Sequence, residues 1–176
     1  MLSNTGNFLL SLNILLSVLI IYYSYNDLKT PDNLISKKVF KISILQSTSI
    51  LICFFTLVSA FLVSDFSLIT VYQNSHTLKP IFYKISGTWG NHEGSLLLWV
   101  IILTLFSFLF LIYNKNHPKN YRLNTLIIQN FLILGFLFFI LLNSNPFSFL
   151  SPTPNEGLGL NPILQDPALA IHPPLL

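Results

Sequence analysis

The sequence predicts an all-α integral membrane protein with four transmembrane helices, and three observations carry that prediction. The 176-residue chain is 52% hydrophobic and only 9% charged, against about 25% charged residues in soluble domains. Four stretches, 8–25, 42–63, 95–113 and 125–142, contain no Asp, Glu, Lys or Arg. Each approaches the roughly 20 residues a helix needs to cross about 30 Å of hydrocarbon. None alternates apolar and polar residues as a barrel strand does; "LLLWVIILTLFSFLFLI" is apolar almost throughout.

The first stretch reads as a permanent helix. A cleavable signal peptide has a basic start and small residues at its end. Here no Lys or Arg precedes Phe8, and the run closes on Tyr22, Tyr23 and Tyr25, which suit a membrane interface. Between the first and second helices lie Lys29, Lys37, Lys38 and Lys41; between the third and fourth lie Lys115, Lys119 and Arg122. Only Lys79 and Lys84 fall on the other side, and short loops rich in Lys and Arg stay on the cytoplasmic or matrix side. Both termini and the two long loops, about 64–94 and 143–176, are therefore expected on the outer side, periplasmic or intermembrane-space. The net charge of +3 reports this topology and offers no nucleic-acid footprint. The partner solvent is the lipid bilayer, and residues 1–176 read as one membrane domain.

Cys53 stands alone in the second helix, so no internal disulfide or Cys-x-x-Cys pair is available. Gln129 and Asn130 in the fourth helix read as interhelical hydrogen-bonding groups. The first outer loop mixes β-branched residues, aromatics and glycines, and is expected to form extended or short helical pieces on the membrane surface. The second holds seven of the ten prolines, so it cannot be one regular helix. Its many Leu, Ile and Phe residues argue for a stiff surface packed on the helix ends.

Two places carry side chains capable of chemistry. In "TWGNHEGS", Asn91 caps the third helix, Glu93 sits in the first turn where the macrodipole favours an anion, and Trp89 anchors at the headgroups. Gly90 and Gly94 have the spacing of a close helix contact. His92 and Glu93 do not form a zinc-protease motif, because Leu96 stands where the second histidine belongs. The other reading of Trp89, His92 and Glu93 is a polar pocket at the outer mouth of the helix. In "QDPALAIHPPLL", His172 precedes two prolines, which bias its backbone towards extended conformations. Imidazole is an axial ligand of haem iron, and a rigid surface beside lipid suits a flat apolar cofactor. His76 and His117 read as solvated loop residues.

The stretches "YKISGTWGNHEGSLLLWV" and "GLGLNPILQDPALAIHPPLL", with "SDFSLITVYQNSHTLKPIFYKISG" leading into the first, resemble the N-terminal part of the CcmF haem lyase family, related to the haem-handling CcmC and CcsA proteins. The resemblance implies a component of a multi-subunit holocytochrome c synthase in cytochrome c maturation. It implies transiently bound b-type haem as cofactor, delivered by the haem chaperone CcmE. It implies apocytochrome c and CcmH/CcmI-type apocytochrome-handling proteins as partners, with haem joined covalently to a Cys-x-x-Cys-His motif on the outer face. By its position in "HPP", His172 resembles an outer histidine of the family that ligates haem iron; Trp89, His92 and Glu93 match a block with a pocket or structural role.

The family's tryptophan-rich block, its second outer histidine and its later intramembrane histidines have no counterpart in this sequence. Either the chain is a truncated product or the gene is split, with a second CcmF polypeptide carrying the Trp-rich block as an expected partner; the chain alone is expected to be inactive. Its Asn-, Ile-, Phe- and Lys-rich usage points to the mitochondrial inner membrane, with a bacterial inner membrane as the other compartment. The reading from a different class is a structural subunit of a respiratory or transport complex.

Overall fold

The computed structural model describes the backbone of residues 1–32 and 34–175 and the side chains through His172, Asn33 excepted. Seven helices run through it: α1 (Leu2–Leu28), α2 (Lys37–Leu62), α3 (Ile69–Asn74), α4 (Ile81–Gly87), α5 (His92–Tyr113), α6 (Lys119–Asn143) and α7 (Pro167–Leu175), with a 3-10 turn at Pro162–Gln165. Four of them, α1, α2, α5 and α6, are long and apolar enough to cross a membrane. The described residues hold no strand, only an isolated antiparallel bridge between Leu68 and Phe149.

The helices outrun the charge-free stretches, most of all at their N-termini. What ends a helix is capping, and the edge of a charge-free window does not report it. Ser36 accepts a hydrogen bond from the Val39 amide at 3.4 Å, so α2 begins before Lys38 and Lys41. Pro118 sets the start of α6 at Lys119, six residues ahead of the apolar window. At 1.5 Å per residue, the 27 residues of α1 extend about 40 Å, enough to carry both polar ends past the hydrocarbon.

In the bundle, α1 lies against α2 and α6, and α5 closes the ring against the same two. Leu10, Ile50, Leu57, Leu97, Ile133 and Leu137 are fully buried in its interior. A polar ladder crosses that interior. The Asn13 amide donates to Ser49 Oγ at 3.0 Å, and the Gln46 amide donates to Ser17 Oγ at 2.7 Å and to Asn130 Oδ1 at 3.1 Å. Asn130 thus has the interhelical role read from the sequence. Gln129 Oε1 finds no partner among the described residues.

One end of the bundle carries the short links 29–36 and 114–118. The other gathers the start of α1, the end of α2, the start of α5, the end of α6 and both long loops. Ser3 Oγ donates to the Phe147 carbonyl at 2.7 Å, and the Asn145 amide donates to Asn7 Oδ1 at 2.7 Å, so the tail leaving α6 folds across the start of α1. The Phe147 ring is fully buried and lies against Gly6, where a Cβ would fall inside the ring.

The two long loops do not lie separately on the membrane surface. They are stitched together. The Ile69 amide donates to the Ser148 carbonyl at 3.0 Å and the Leu150 amide to the Ser67 carbonyl at 2.7 Å. Further along, the Leu158 amide donates to the Tyr72 carbonyl at 2.8 Å and the Gly159 amide to the Ser75 carbonyl at 3.1 Å. Short helices α3 and α4 appear within the first loop, as expected of it, and bury Thr70, Val71, Ser86 and Gly87, the last against Phe61 of α2.

Candidate functional site

The cap formed by these loops brings the two chemistry-bearing stretches into contact. Trp89 is half-buried, and its indole Nε1 donates to the Ala170 carbonyl at 2.8 Å. The sequence assigned Trp89 to the headgroups; its N–H instead tethers α7, two residues before His172. Close by, Leu160 and Leu164 approach Gly90, where a side chain would crowd the Ser86 carbonyl and not the two leucines. Gln165 Nε2 donates to the Leu160 carbonyl at 3.1 Å and tightens that turn.

Local chemistry explains why α7 forms although prolines follow it. Pro167 opens the helix, where its missing N–H costs nothing. The Asp166 carboxylate accepts from the Ala168 amide at 2.8 Å and the Leu169 amide at 3.2 Å, a side-chain cap at the N-terminus. The first turn is therefore fixed before Pro173 is reached, and His172 sits in a helix, contrary to the extended backbone its neighbour favours. The rings of Pro173 and Pro174, expected to stiffen this segment, lie outside the described side chains.

His172 is exposed, beside exposed Leu169 and Ile171. It joins no ion pair and no group of three metal-ligating side chains among the described residues. An exposed imidazole beside apolar side chains would be able to hold the iron of a haem.

At the start of α5, Asn91 caps as expected, its Oδ1 accepting from the Gly94 amide at 2.7 Å, and Glu93 lies in the first turn. Gly94 is not a helix–helix contact. A Cβ there would collide with the Thr88 carbonyl, because the turn before α5 folds back over it. His92 is exposed; its Nδ1 lies 3.2 Å from Ser144 Oγ, and its ring meets Phe139 edge-on at 6.4 Å between centroids. It therefore braces the end of α6. Trp89 alone of this block bonds α7; the hydrogen bond of His92 runs to α6.

A clamp that the sequence reading passed over holds the middle of the cap. Glu156 accepts from the Thr77 amide at 2.9 Å, from Thr77 Oγ1 and from its neighbour Gly157, and pairs with His76 at 3.8 Å. The Thr77 hydroxyl chiefly, with the two amides, holds the carboxyl down to about 2. His76 is thus part of a contact and not simply solvated.

Comparison with known proteins follows the same two stretches. Residues 89–176, half of the chain, match the family model "Cytochrome C assembly protein". The chain belongs to that family. It is 49% identical over 139 residues to the cytochrome c-type biogenesis protein CycK of Rhizobium meliloti (strain 1021), covering 75% of this chain and 21% of that one. Against the cytochrome c-type biogenesis protein CcmF of Escherichia coli (strain K12), identity is 48% over 124 residues, covering 70% and 19%. Among solved structures, a "Cytochrome c Heme Lyase CcmF" superposes with a TM-score of 0.76 at 24% identity, over 86% of this chain and 26% of that one, which shows the shared fold. The chain matches the N-terminal part of a CcmF-like protein, as the resemblance implied, and spans about a fifth of the length of these curated relatives. Membership in the family and four helices of membrane-crossing length make it an integral membrane protein of cytochrome c biogenesis.

Proposed function

We propose that this chain is one component of a cytochrome c haem lyase, and that its cap offers His172 as an axial ligand to transiently held b-type haem. The Trp89–Ala170 hydrogen bond carries this reading, because it fixes the helix bearing His172 to the block that opens α5. When bound, haem supplies the vinyl groups to which the apocytochrome thiols add. The chain's own residues then have separable tasks. His172 presents a ring nitrogen of the kind that ligates metals. Trp89 and the Asp166 cap hold α7 in position. His92 and Glu93 shape the floor where α5 and α6 meet the cap, a weaker role than ligation.

The seven basic residues at the short-link end support a topology with the cap and both termini on the outer side of the membrane. Haem arriving from CcmE and apocytochrome c presented by CcmH/CcmI-type proteins would meet there. The chain spans about a fifth of its relatives' length, and in this reading the haem site also draws on a Trp-rich block, with a second CcmF polypeptide as its proposed carrier. The relatives named above are bacterial. They support a bacterial inner membrane and lend nothing to a mitochondrial one.

The test co-expresses the chain with such partners and records haem absorbance and cytochrome c maturation for the wild type and His172→Ala. The expected result is a changed haem spectrum and maturation reduced at least tenfold. An unchanged spectrum with undiminished maturation removes His172 from the mechanism. Capture of respiratory subunits in place of cytochrome c maturation proteins would favour the structural-subunit reading.

A further inference from the structure

Between residues 76–80 of the first loop and 158–165 of the second lies a cleft of about 460 Å³ that His172 does not line, although it shares His76 with the Glu156 clamp and Leu160 and Gln165 with the turn beside Gly90. Its walls include Leu78, Lys79, Pro80, Leu158 and Leu160. Leu78 is 87% and Leu158 70% exposed; paired on two sides of one cleft, such leucines mark a contact surface. Lys79 is half-buried. Its ammonium donates to the Asn74 carbonyl at 3.3 Å, and no carboxylate lies within ion-pair distance among the described residues. Glu156, the acid of this region, is already engaged by Thr77, Gly157 and His76. Burial pulls the Lys79 ammonium down to about 8, leaving it mostly charged at neutral pH and short of a counter-ion.

We propose that this cleft binds an acidic amphiphile, with its carboxylate or phosphate oxygens on Lys79 and its apolar body against Leu78, Pro80 and Leu158. Two molecules share the required chemistry, an anionic phospholipid and a porphyrin bearing carboxylates, and two separate probes tell them apart. A phosphate without an apolar body would leave the leucines uncovered.

The full chain in neutral detergent micelles is titrated with phosphatidylglycerol, read by native mass spectrometry, and with metal-free protoporphyrin, read by porphyrin fluorescence. Lys79→Gln, Lys79→Arg, Leu158→Ser and Lys84→Gln are compared with the wild type. Lys84 is the control, since its ammonium is held by Ser64 Oγ at 2.8 Å and does not line the cleft. Lys79→Gln should weaken binding about tenfold, as loss of a charged hydrogen bond does. Leu158→Ser should weaken it several-fold, Lys79→Arg should retain it, and inorganic phosphate should not compete. Sensitivity of phosphatidylglycerol alone identifies a lipid; sensitivity of the porphyrin alone identifies a porphyrin carboxylate. No binding of either probe, equal binding by wild type and Lys79→Gln, or equal losses in Lys79→Gln and Lys84→Gln would each overturn the proposal. Metal-free porphyrin has no iron for His172 to ligate, so failure here and failure of the haem reading are separate results.

Discussion

At the short-link end of the bundle, cations are held by the backbone. Lys119 is buried, and its ammonium donates to the Thr30 carbonyl at 3.2 Å, to Thr30 Oγ1 at 2.9 Å and to the Asp32 carbonyl at 2.6 Å. Arg122 reaches the Leu111 carbonyl across the link between α5 and α6. At the cap end carboxylates join the work: the long loops are tied by amide-to-carbonyl pairs and by Glu156 accepting from Thr77, while Asp166 accepts from the amides that open α7. Helix ends explain much of this. The short links receive the C-termini of α1 and α5, whose free carbonyls attract cations. The cap has to satisfy two long loops broken by short helices, and while Phe147 and Val71 are buried in it, Leu78, Leu158 and Ile163 remain exposed. One end closes on itself, while the other leaves surface for partners.

Truncating the ring that seats the tail should break this contrast most severely. Phe147 is fully buried over Gly6, so Phe147→Ala should cost about 3–5 kcal/mol, the transfer term plus an unfilled cavity. Chemical unfolding in micelles measures it, with hydrogen exchange showing the loss beginning in the cap. A cost under about 1 kcal/mol would mean that the cap does not depend on that seat.

The short-link end is tested by Lys119→Met, which keeps much of the apolar stem and removes the ammonium. Three acceptors lose their donor, and charged hydrogen bonds contribute roughly 1.5–3 kcal/mol. The expected outcome is destabilisation in that range, with amide exchange accelerated around Thr30 and the cap unaffected. Equal acceleration at both ends would dissolve the distinction between them.

These two ends were unequally legible in the sequence. The four spans announce themselves because charge is excluded from hydrocarbon, and the Lys and Arg positions mark which links belong together. Helix limits were less visible, because Ser36 and Pro118 act through caps and not through hydropathy. The interior ladder of Asn13, Gln46 and Asn130 was only partly foreseen, since polar residues in three separate helices have no common spacing. The cap was the least legible. Ser67 and Leu150, or Trp89 and Ala170, are joined by hydrogen bonds across about 80 positions, and nothing local encodes such pairing. Trp89 did stand out as special, yet its indole N–H has the same value to a headgroup as to a carbonyl, and only the fold decides between them. His172 stood out for its proline neighbours, but its helical backbone depends on Asp166, six residues earlier.

The mildest perturbation is acid, and it acts on one end alone. Glu156 is held down to about 2 from an ordinary 4.5 by bonds that its ionised form accepts more strongly than its protonated form. A carboxyl depressed on folding contributes its stabilisation fully above its unfolded value and loses it as pH falls through the folded one. The Glu156 clamp should therefore hold above about pH 4.5 and loosen progressively towards pH 2. Amide exchange, corrected for its intrinsic pH dependence, should rise at Thr77 and Gly157 across that window, while Thr30 at the other end stays level. Glu156→Gln should remove the pH dependence and leave a cap already loosened at neutral pH. If the variant titrates as the wild type does, another carboxyl governs the cap, with Asp166 at the start of α7 the next to examine.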